Sequence, residues 1–138
     1  MDKLTKIAKF IKAHHVVTLA TTVGDNPYCC NLFYAYDNEG QALVFTSDNT
    51  TRHTQMFGQN EQVAASIVLE TKVVGKVQGL QICGRIQPAK DGDKMLYIKR
   101  FPYALAADLT LWRLEIDFMK LTDNTLGFGK KLIWQREE

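Results

Sequence analysis

The sequence predicts a mainly β (α+β) fold, a six-stranded antiparallel Greek-key barrel with short peripheral helices. Six short segments alternate in polarity and are rich in β-branched residues, and clusters of Gly, Asn, Asp and Pro separate them. No long helix recurs between strands, so the βαβ rhythm of parallel sheets is absent. The 138 residues, 46% apolar and 23% charged, suit a single domain spanning 1–138.

An amphipathic helix opens the chain. Leu4, Ile7, Ala8 and Ile11 fall at i, i+3, i+4 and i+7, which gives one apolar stripe, and Asp2 is a suitable N-cap. Two further short helices are predicted, one between a cap-rich start at 48–53 and Gly58, the other over 91–101. Pro102 ends the last of these.

Six strands are predicted around these helices. They are 16–23, 28–36, 42–46, 63–71, 77–86 and 111–121, followed by a tail over 123–134. Gly79 and Gly84 mark bends or places where another backbone or a ligand comes close. Several aromatic residues exceed what one barrel interior needs and indicate either a subunit interface or simply core: Tyr28, Phe33, Tyr34, Tyr36, Trp112 and Phe118.

The composition argues against binding to nucleic acids and to anionic membranes. Seventeen basic and fifteen acidic residues leave a net charge of +2, too little for a broad basic face that would bind nucleic acid or an anionic membrane. The basic residues of the second half come without a stacking motif, so a nucleic-acid role ranks third: Lys90, Lys94, Lys99, Arg100, Lys130 and Lys131. We expect neither nucleic acid nor membrane as a partner.

The cysteines and the N-terminus indicate a cytoplasmic protein. No apolar run reaches the length of a membrane span, and the lysines of the first helix are not grouped before a signal-peptide core. Cys29 and Cys30 are adjacent, so in a strand they point to opposite faces, and Cys83 stands alone. With no zinc-binding spacing of Cys or His, no metal site is expected.

One stretch has the composition of a phosphate site. Thr46 and Ser47 end a strand, and Thr50, Thr51, Arg52 and His53 begin a helix, which gathers hydroxyls, a guanidinium, an imidazole and free helix N–H groups. Arg52 could pair with phosphate oxygens and His53 could donate a hydrogen bond. Capping hydroxyls with a solvated arginine explain the same pattern about equally well.

A second polar signal lies in the strand 77–86. Gln78 and Gln81 interrupt an apolar segment, and the strand period puts the two amides on opposite faces. We favour Gln81, beside the two bend glycines, as the amide that meets the edge of a heterocycle. The alternative is a glutamine on the barrel exterior bonded to water.

Four segments in order along the chain carry a more specific signal. They are Leu43-Val44-Phe45-Thr46-Ser47, Thr51-Arg52-His53, Val63-Ala64-Ala65-Ser66-Ile67 and the run from Gly79 to Ile86. Together they resemble the pyridoxamine 5'-phosphate oxidase-like FMN-binding split barrels. The tail from Thr122 to Lys131, with Arg100-Phe101-Pro102, resembles a short bacterial branch of that superfamily, the UPF0306-like proteins.

The resemblance implies a homodimer of six-stranded split barrels with FMN in two clefts between the subunits. Thr46 and Ser47 would line the flavin and its ribityl chain, Thr51, Arg52 and His53 would hold the phosphate, and Gln81 would approach the isoalloxazine edge. Trp112 and the 128–131 tail, with Lys130, would close the cleft from the second subunit. Many relatives have Lys where this chain has His53. The chain is also shorter than true pyridoxamine-phosphate oxidases and has no clear Arg-Leu-x-Pro motif, so pyridoxal phosphate is not the expected product.

Two functions follow from this resemblance. The first is an FMN-dependent oxidoreductase that moves a hydride to a small organic acceptor, with NAD(P)H as a possible donor; the catalytic residues are left unassigned. The second is a non-catalytic dimer that stores or senses flavin or haem, with His14 and His15 as candidate haem ligands. Capping or solvated histidines are the simpler interpretation of that pair.

Overall fold

The computed structural model describes residues 2–137, which form a curled antiparallel sheet with helices on both faces. The mainly β prediction is confirmed, but the described chain has eight strands and not six. They are β1 (Val16–Val23), β2 (Asn26–Phe33), β3 (Ala35–Asp37), β4 (Ala42–Thr46), β5 (Gln62–Val68), β6 (Gln78–Pro88), β7 (Leu111–Asp123) and β8 (Lys131–Gln135).

The first extra strand arises because the predicted strand over 28–36 breaks at Tyr34. The Tyr34 N–H bonds to the carbonyl of His15 at 3.1 Å, and its hydroxyl donates to the carbonyl of Ile11 at 2.6 Å. These bonds turn the chain, so β2 pairs with β1 whereas β3 pairs with β4. The second extra strand, β8, lies in the tail and pairs with β7.

The strand order is β2-β1-β5-β6-β7-β4-β3, with β8 also beside β7. The long strand β7 pairs with two strands in turn along its length. Its residues 111–115 pair with β4, and its residues 118–122 pair with β8. Every pairing is antiparallel, as the turn-separated short strands predict.

Within residues 2–137 three α-helices accompany the sheet: α1 (Lys3–Ala13), α2 (Arg52–Gln59) and α3 (Asp93–Arg100). The Asp2 cap of α1 is confirmed, since its carboxylate accepts the N–H of Thr5 at 2.8 Å. Pro102 begins a 3₁₀ turn directly after α3, and two more such turns cover 74–76 and 124–126. No helix among residues 2–137 combines the length and apolarity needed to cross a membrane.

The core lies mainly on the inner face of the sheet. Ile7, Phe10 and Ile11 of α1 and Phe57 of α2 pack there against the apolar residues of the strands. A smaller cluster, with Val44 and Tyr97 at its centre, lies on the other face, where α3 covers β3 and β4. The aromatic pattern thus divides: Tyr34 and Tyr36 are core, whereas Phe33 is exposed.

The two bend glycines of β6 differ. At Gly84 the pairing with β7 shifts register, and an added Cβ would lie 2.2 Å from the carbonyl oxygen of Glu115, so only glycine fits this close approach. At Gly79 a Cβ would meet nothing within 4 Å in the described chain. The predicted close approach is therefore confirmed at Gly84, and within this chain it is not found at Gly79.

Candidate functional site

The candidate site lies where β4 ends and α2 begins. Thr51 is the N-cap of α2, and its hydroxyl accepts the N–H of Thr54 at 3.3 Å. The backbone N–H groups of Arg52 and His53 have no hydrogen-bond partner within residues 2–137, as the first turn of a helix leaves them. The local sequence folds this way because Thr is a good cap and Asp48 closes the preceding turn by accepting the N–H of Thr50 at 2.8 Å.

Three hydroxyls and one imidazole meet at this point. Ser47 Oγ lies 2.5 Å from His53 Nε2 and 2.6 Å from Thr54 Oγ1. Thr51 Oγ1 lies 2.7 Å from Thr54 Oγ1 and 3.3 Å from His53 Nε2. We call Ser47, Thr51, His53 and Thr54 the hydroxyl cluster.

His53 is the titratable group of the hydroxyl cluster. Burial lowers its pKa from the ordinary value of 6.5, so the ring is neutral at pH 7. A neutral imidazole both donates and accepts, which lets Nε2 exchange a hydrogen bond with Ser47. An anion bound beside the ring would favour its protonated form.

Arg52 differs from its neighbours because its guanidinium is outside the hydroxyl cluster. It is exposed and lies over the ring of Tyr28, 4.5 Å from the ring centroid. No carboxylate pairs with it within the described residues. The cation–π contact holds the side chain beside α2 and leaves all of its donors available to an anion.

Trp112 anchors the site to the sheet. Its indole N–H donates to the carbonyl of Ser47 at 3.1 Å, and the Ser47 N–H bonds to the carbonyl of Thr110 at 3.0 Å. Phe57 of α2 packs edge-on against the indole, with ring centroids 5.0 Å apart. Within one chain, Trp112 therefore belongs to the same site as Ser47.

Thr46 points away from that site. The alternation along β4 puts it on the face of Val44, under α3, whereas Ser47 faces α2. Tyr97 lies on that face; burial raises its pKa to about 12, and a hydrogen bond with Thr46 opposes the rise. Thr46 and Ser47 are adjacent in sequence but serve opposite sides of the sheet.

Gln81 and Lys130 lie elsewhere in the chain. Gln81 is exposed on the outer face of β6, between Ser66 and Lys120. It is seven residues from Pro88, the β6 partner of Trp112, which is about 23 Å along the strand. Lys130 is exposed at the far end of β7, where its carbonyl accepts the N–H of Asp123 at 2.9 Å. One chain thus brings together Ser47, Thr51, His53 and Trp112, with Arg52 beside them.

Two residues of this region were not predicted from the sequence. Thr54 is buried at the centre of the hydroxyl cluster, and its signal was available, since it lies three residues after the cap Thr51. Tyr28 supports Arg52, but no local pattern could reveal a contact between residues so distant in sequence.

The candidate haem ligands lie at the junction of α1 and β1. The N–H of His14 caps α1 through the carbonyl of Ile11, and its ring packs on Phe10 at 4.4 Å. Burial, followed by the charges of His15 and Arg100, lowers the pKa of His14. His15 is exposed, and its carbonyl accepts the N–H of Tyr34. The capping interpretation is therefore confirmed for the backbone of His14.

The three cysteines are free thiols. Cys29 is exposed and Cys30 is partly buried, as opposite faces of β2 require. Burial raises the pKa of Cys30 to about 11, so its reactive thiolate form is suppressed at neutral pH. Cys83 is exposed on the outer face of β6.

Relatives at the sequence level share nearly the whole chain. A UPF0306 protein of Cronobacter sakazakii is 39% identical over 142 residues, covering 100% of this chain and 99% of the relative. Another, from Klebsiella pneumoniae (strain 342), is 38% identical over 141 residues, covering 99% and 96%. No protein-family model matches the sequence.

Solved structures extend the comparison at the level of the fold. A haem-binding protein from Mycobacterium smegmatis superposes with a TM-score of 0.78 at 16% identity, covering 98% of this chain and 58% of its own. An FAD-binding protein from Mesorhizobium loti gives 0.68 at 18% identity, covering 85% and 90%.

A third solved structure is of a protein named for the superfamily that the sequence motifs resemble. A putative pyridoxamine 5'-phosphate oxidase from Listeria innocua gives a TM-score of 0.67 at 17% identity, covering 87% of this chain and 98% of its own. The chain therefore belongs to the UPF0306 family, and its fold is that of the pyridoxamine 5'-phosphate oxidase-like split barrels.

Proposed function

We propose that the protein binds FMN at the start of α2 and acts as an oxidoreductase on a small organic molecule. The observation that carries this proposal is the exposed Arg52, which has an aromatic partner but no carboxylate within the described chain, beside the hydroxyl cluster at a helix N-terminus. This combination suits a phosphate monoester. An FAD-binding protein among the structural neighbours supports a flavin as the ligand.

The residues present fit the phosphate group of FMN through distinct donors. Arg52 offers a charged fork, and the N–H groups of Arg52 and His53 are free in the described chain. The hydroxyls of Ser47, Thr51 and Thr54 are already bonded to one another, so a phosphate would contact the edge of the hydroxyl cluster or replace some of those bonds. Arg52 is therefore the main charged contact with the phosphate in this proposal.

Bound FMN would supply hydride transfer, while the chain holds and orients it. Tyr28 keeps Arg52 beside α2, and Trp112 fixes the Ser47 carbonyl. His53 would gain a proton when a dianion lies beside it, which ties phosphate binding to pH. No side chain of the site is required as a general acid or base.

We propose in addition that a second copy of the chain completes the cleft. Gln81 and Lys130 lie far along the sheet from Ser47 in the same chain, so a shared site needs them from another subunit. The outer face carries exposed apolar side chains, with Phe33 56%, Val16 42% and Val68 62% exposed. Such a patch favours self-association.

Titration with FMN and with riboflavin tests the phosphate assignment. We expect FMN to bind much more tightly than riboflavin, and Arg52→Ala to cost about 1.5–3 kcal/mol of FMN binding while leaving riboflavin unchanged. Lys94→Ala removes an equal charge from the exposed face of α3 and serves as the control. Equal affinity for both flavins, or an Arg52→Ala variant that binds FMN like the parent, would refute the assignment.

Two further measurements test the oxidoreductase activity and the dimer separately. Oxidation of NAD(P)H by the FMN-loaded protein with an added acceptor distinguishes an oxidoreductase from a binding protein. Sedimentation equilibrium should give twice the chain mass of 15.7 kDa, and a mass of one chain contradicts the shared cleft.

The second candidate function is haem binding without catalysis. The favouring observation is His14, whose lowered pKa keeps the ring neutral, the form that ligates iron. A haem-binding protein also shares the fold. Addition of haemin should then produce a Soret band that His14→Ala removes, and its absence would leave FMN as the ligand.

A further inference from the structure

A separate groove lies between α1 and the sheet. It has a volume of about 540 Å³ and an apolar floor formed by Phe10, Leu121 and Leu132, with Leu69 and Leu126 at its sides. This volume is within the range of small-molecule sites. The groove is at the end of β7 opposite Trp112, so it is distinct from the hydroxyl cluster.

One wall of the groove carries two lysines that form no ion pair within the described chain. Lys6 and Lys9 project from α1 along this wall. Every ion pair within residues 2–137 uses an arginine, and no lysine of α1 takes part in one. Helix α1 has no acidic residue in its first turn, and the carboxylate of Asp2 is engaged as its N-cap.

The other titratable groups of the groove cancel only part of this charge. Asp123 is the one carboxylate among the lining residues, and it also accepts the N–H of Thr125 at 2.9 Å and the hydroxyl of Thr125 at 2.5 Å. His14 also lines the groove, and burial lowers its pKa, so it is neutral at pH 7. The remaining polar lining residue, Gln78, is uncharged. Two lysines against one carboxylate leave the groove positive.

We propose that this groove binds a medium-chain fatty carboxylate. The carboxylate would lie between Lys6 and Lys9, and the hydrocarbon chain would cover Phe10, Leu121 and Leu132. From Lys6 to Ala13 the helix rises about 10 Å, which sets the length of chain that the groove can cover. The charge complementarity favours an anion, and the apolar floor favours one with a hydrocarbon tail over a small hydrophilic anion.

Calorimetric titration with decanoate as a monomer in solution tests the proposal. Hexanoate should bind more weakly, by up to about fourfold for each methylene that leaves the groove, and neutral decanol should bind more weakly than decanoate. The double variant Lys6→Gln/Lys9→Gln should lose about five- to tenfold in decanoate affinity. The double variant Lys3→Gln/Lys12→Gln is the matched control, because these lysines lie on the same helix outside the groove.

A second variant blocks the groove itself. Ala13 is exposed on its rim, so Ala13→Trp should fill the groove and abolish decanoate binding while the circular dichroism spectrum stays unchanged. Failure of decanoate to bind, equal losses in the two lysine double variants, or full binding by Ala13→Trp would each overturn the proposal. Binding to anionic vesicles but not to monomeric decanoate would assign the lysines to a membrane surface and would overturn it as well.

Discussion

Arg52 and Arg113 show how differently two arginines of one small protein can be used. Arg113 is 1% exposed and holds three carboxylates: Asp93 at 2.6 Å, Glu115 at 2.9 Å and Asp37 at 3.0 Å. Arg52 is exposed, rests on Tyr28, and has no carboxylate partner among the described residues. The buried and fully paired Arg113 guanidinium cannot bind a ligand, whereas the exposed Arg52 guanidinium is free to bind an anion.

The cluster of Arg113 has a clear structural role. Its three carboxylates come from β3, α3 and β7, so one side chain ties a helix and a strand to the long strand of the sheet. Burial alone would raise the pKa of Asp37, but hydrogen bonds from Gly40 and Arg113 outweigh it, so the pKa is lowered. A Cβ at Gly40 would lie 2.7 Å from the Asp37 carboxylate and 3.1 Å from the Arg113 guanidinium, so a larger residue here would displace this ion pair.

Removal of Arg113 should produce the largest effect. Arg113→Met leaves buried carboxylates without their cation, and we expect it to lower the free energy of unfolding by about 3–5 kcal/mol. Arg52→Ala, which loses only an exposed cation–π contact, should lower it by about 0.5–1 kcal/mol. Urea unfolding of both variants measures the contrast, and similar losses in the two would show that Arg52 is structural.

Ser47→Ala tests how firmly the hydroxyl cluster is held. The change leaves buried Thr54 and half-buried His53 without a shared partner, so we expect a loss of about 1–2 kcal/mol in the free energy of unfolding. Thr50→Ala removes an exposed hydroxyl two residues before α2 and should change it by less than about 0.5 kcal/mol. If both variants unfold alike, the hydroxyl cluster contributes no stability.

The smallest effect is a pH dependence of the free energy of unfolding caused by His53. The carboxylates around Arg113 should not contribute to it near pH 7. The pKa of His53 is lowered by folding from 6.5, so below about pH 6.5 the unfolded chain binds more protons. Stability present above that pH is then lost as pH falls, by less than about 1.4 kcal/mol per pH unit for one group. His53→Gln should reduce the slope.

His14 provides a second test of the pH dependence, because its pKa is lowered in the same direction. His14→Gln should remove a separate part of the slope, and the double variant should remove both parts. Unfolding by urea between pH 5 and 7.5 gives the slopes. A slope that stays the same in His53→Gln would mean that His53 is not buried enough to titrate abnormally.

The local signals in the sequence were sufficient for the helices and for the start of the site. The apolar stripe and Asp2 fixed α1, and the run from Thr50 to His53 located a helix N-terminus rich in donors, since caps and periodicity act over only a few residues. The strand count was wrong because Tyr34 breaks the segment 28–36 through bonds to His15 and Ile11.

What the sequence determined by itself is the class of fold, the capped helices and the group formed by Ser47, Thr51, Arg52 and His53, because each depends on neighbours along the chain. Only the tertiary structure decided that Thr46 faces away from Ser47 and that Trp112 bonds to the Ser47 carbonyl. It also placed Arg52 over the ring of Tyr28 and Arg113 among three carboxylates. Gln81 lies far along β6 from the partner of Trp112. Most of those contacts join residues tens of positions apart, which are brought together by strand pairing and helix packing that no local pattern encodes.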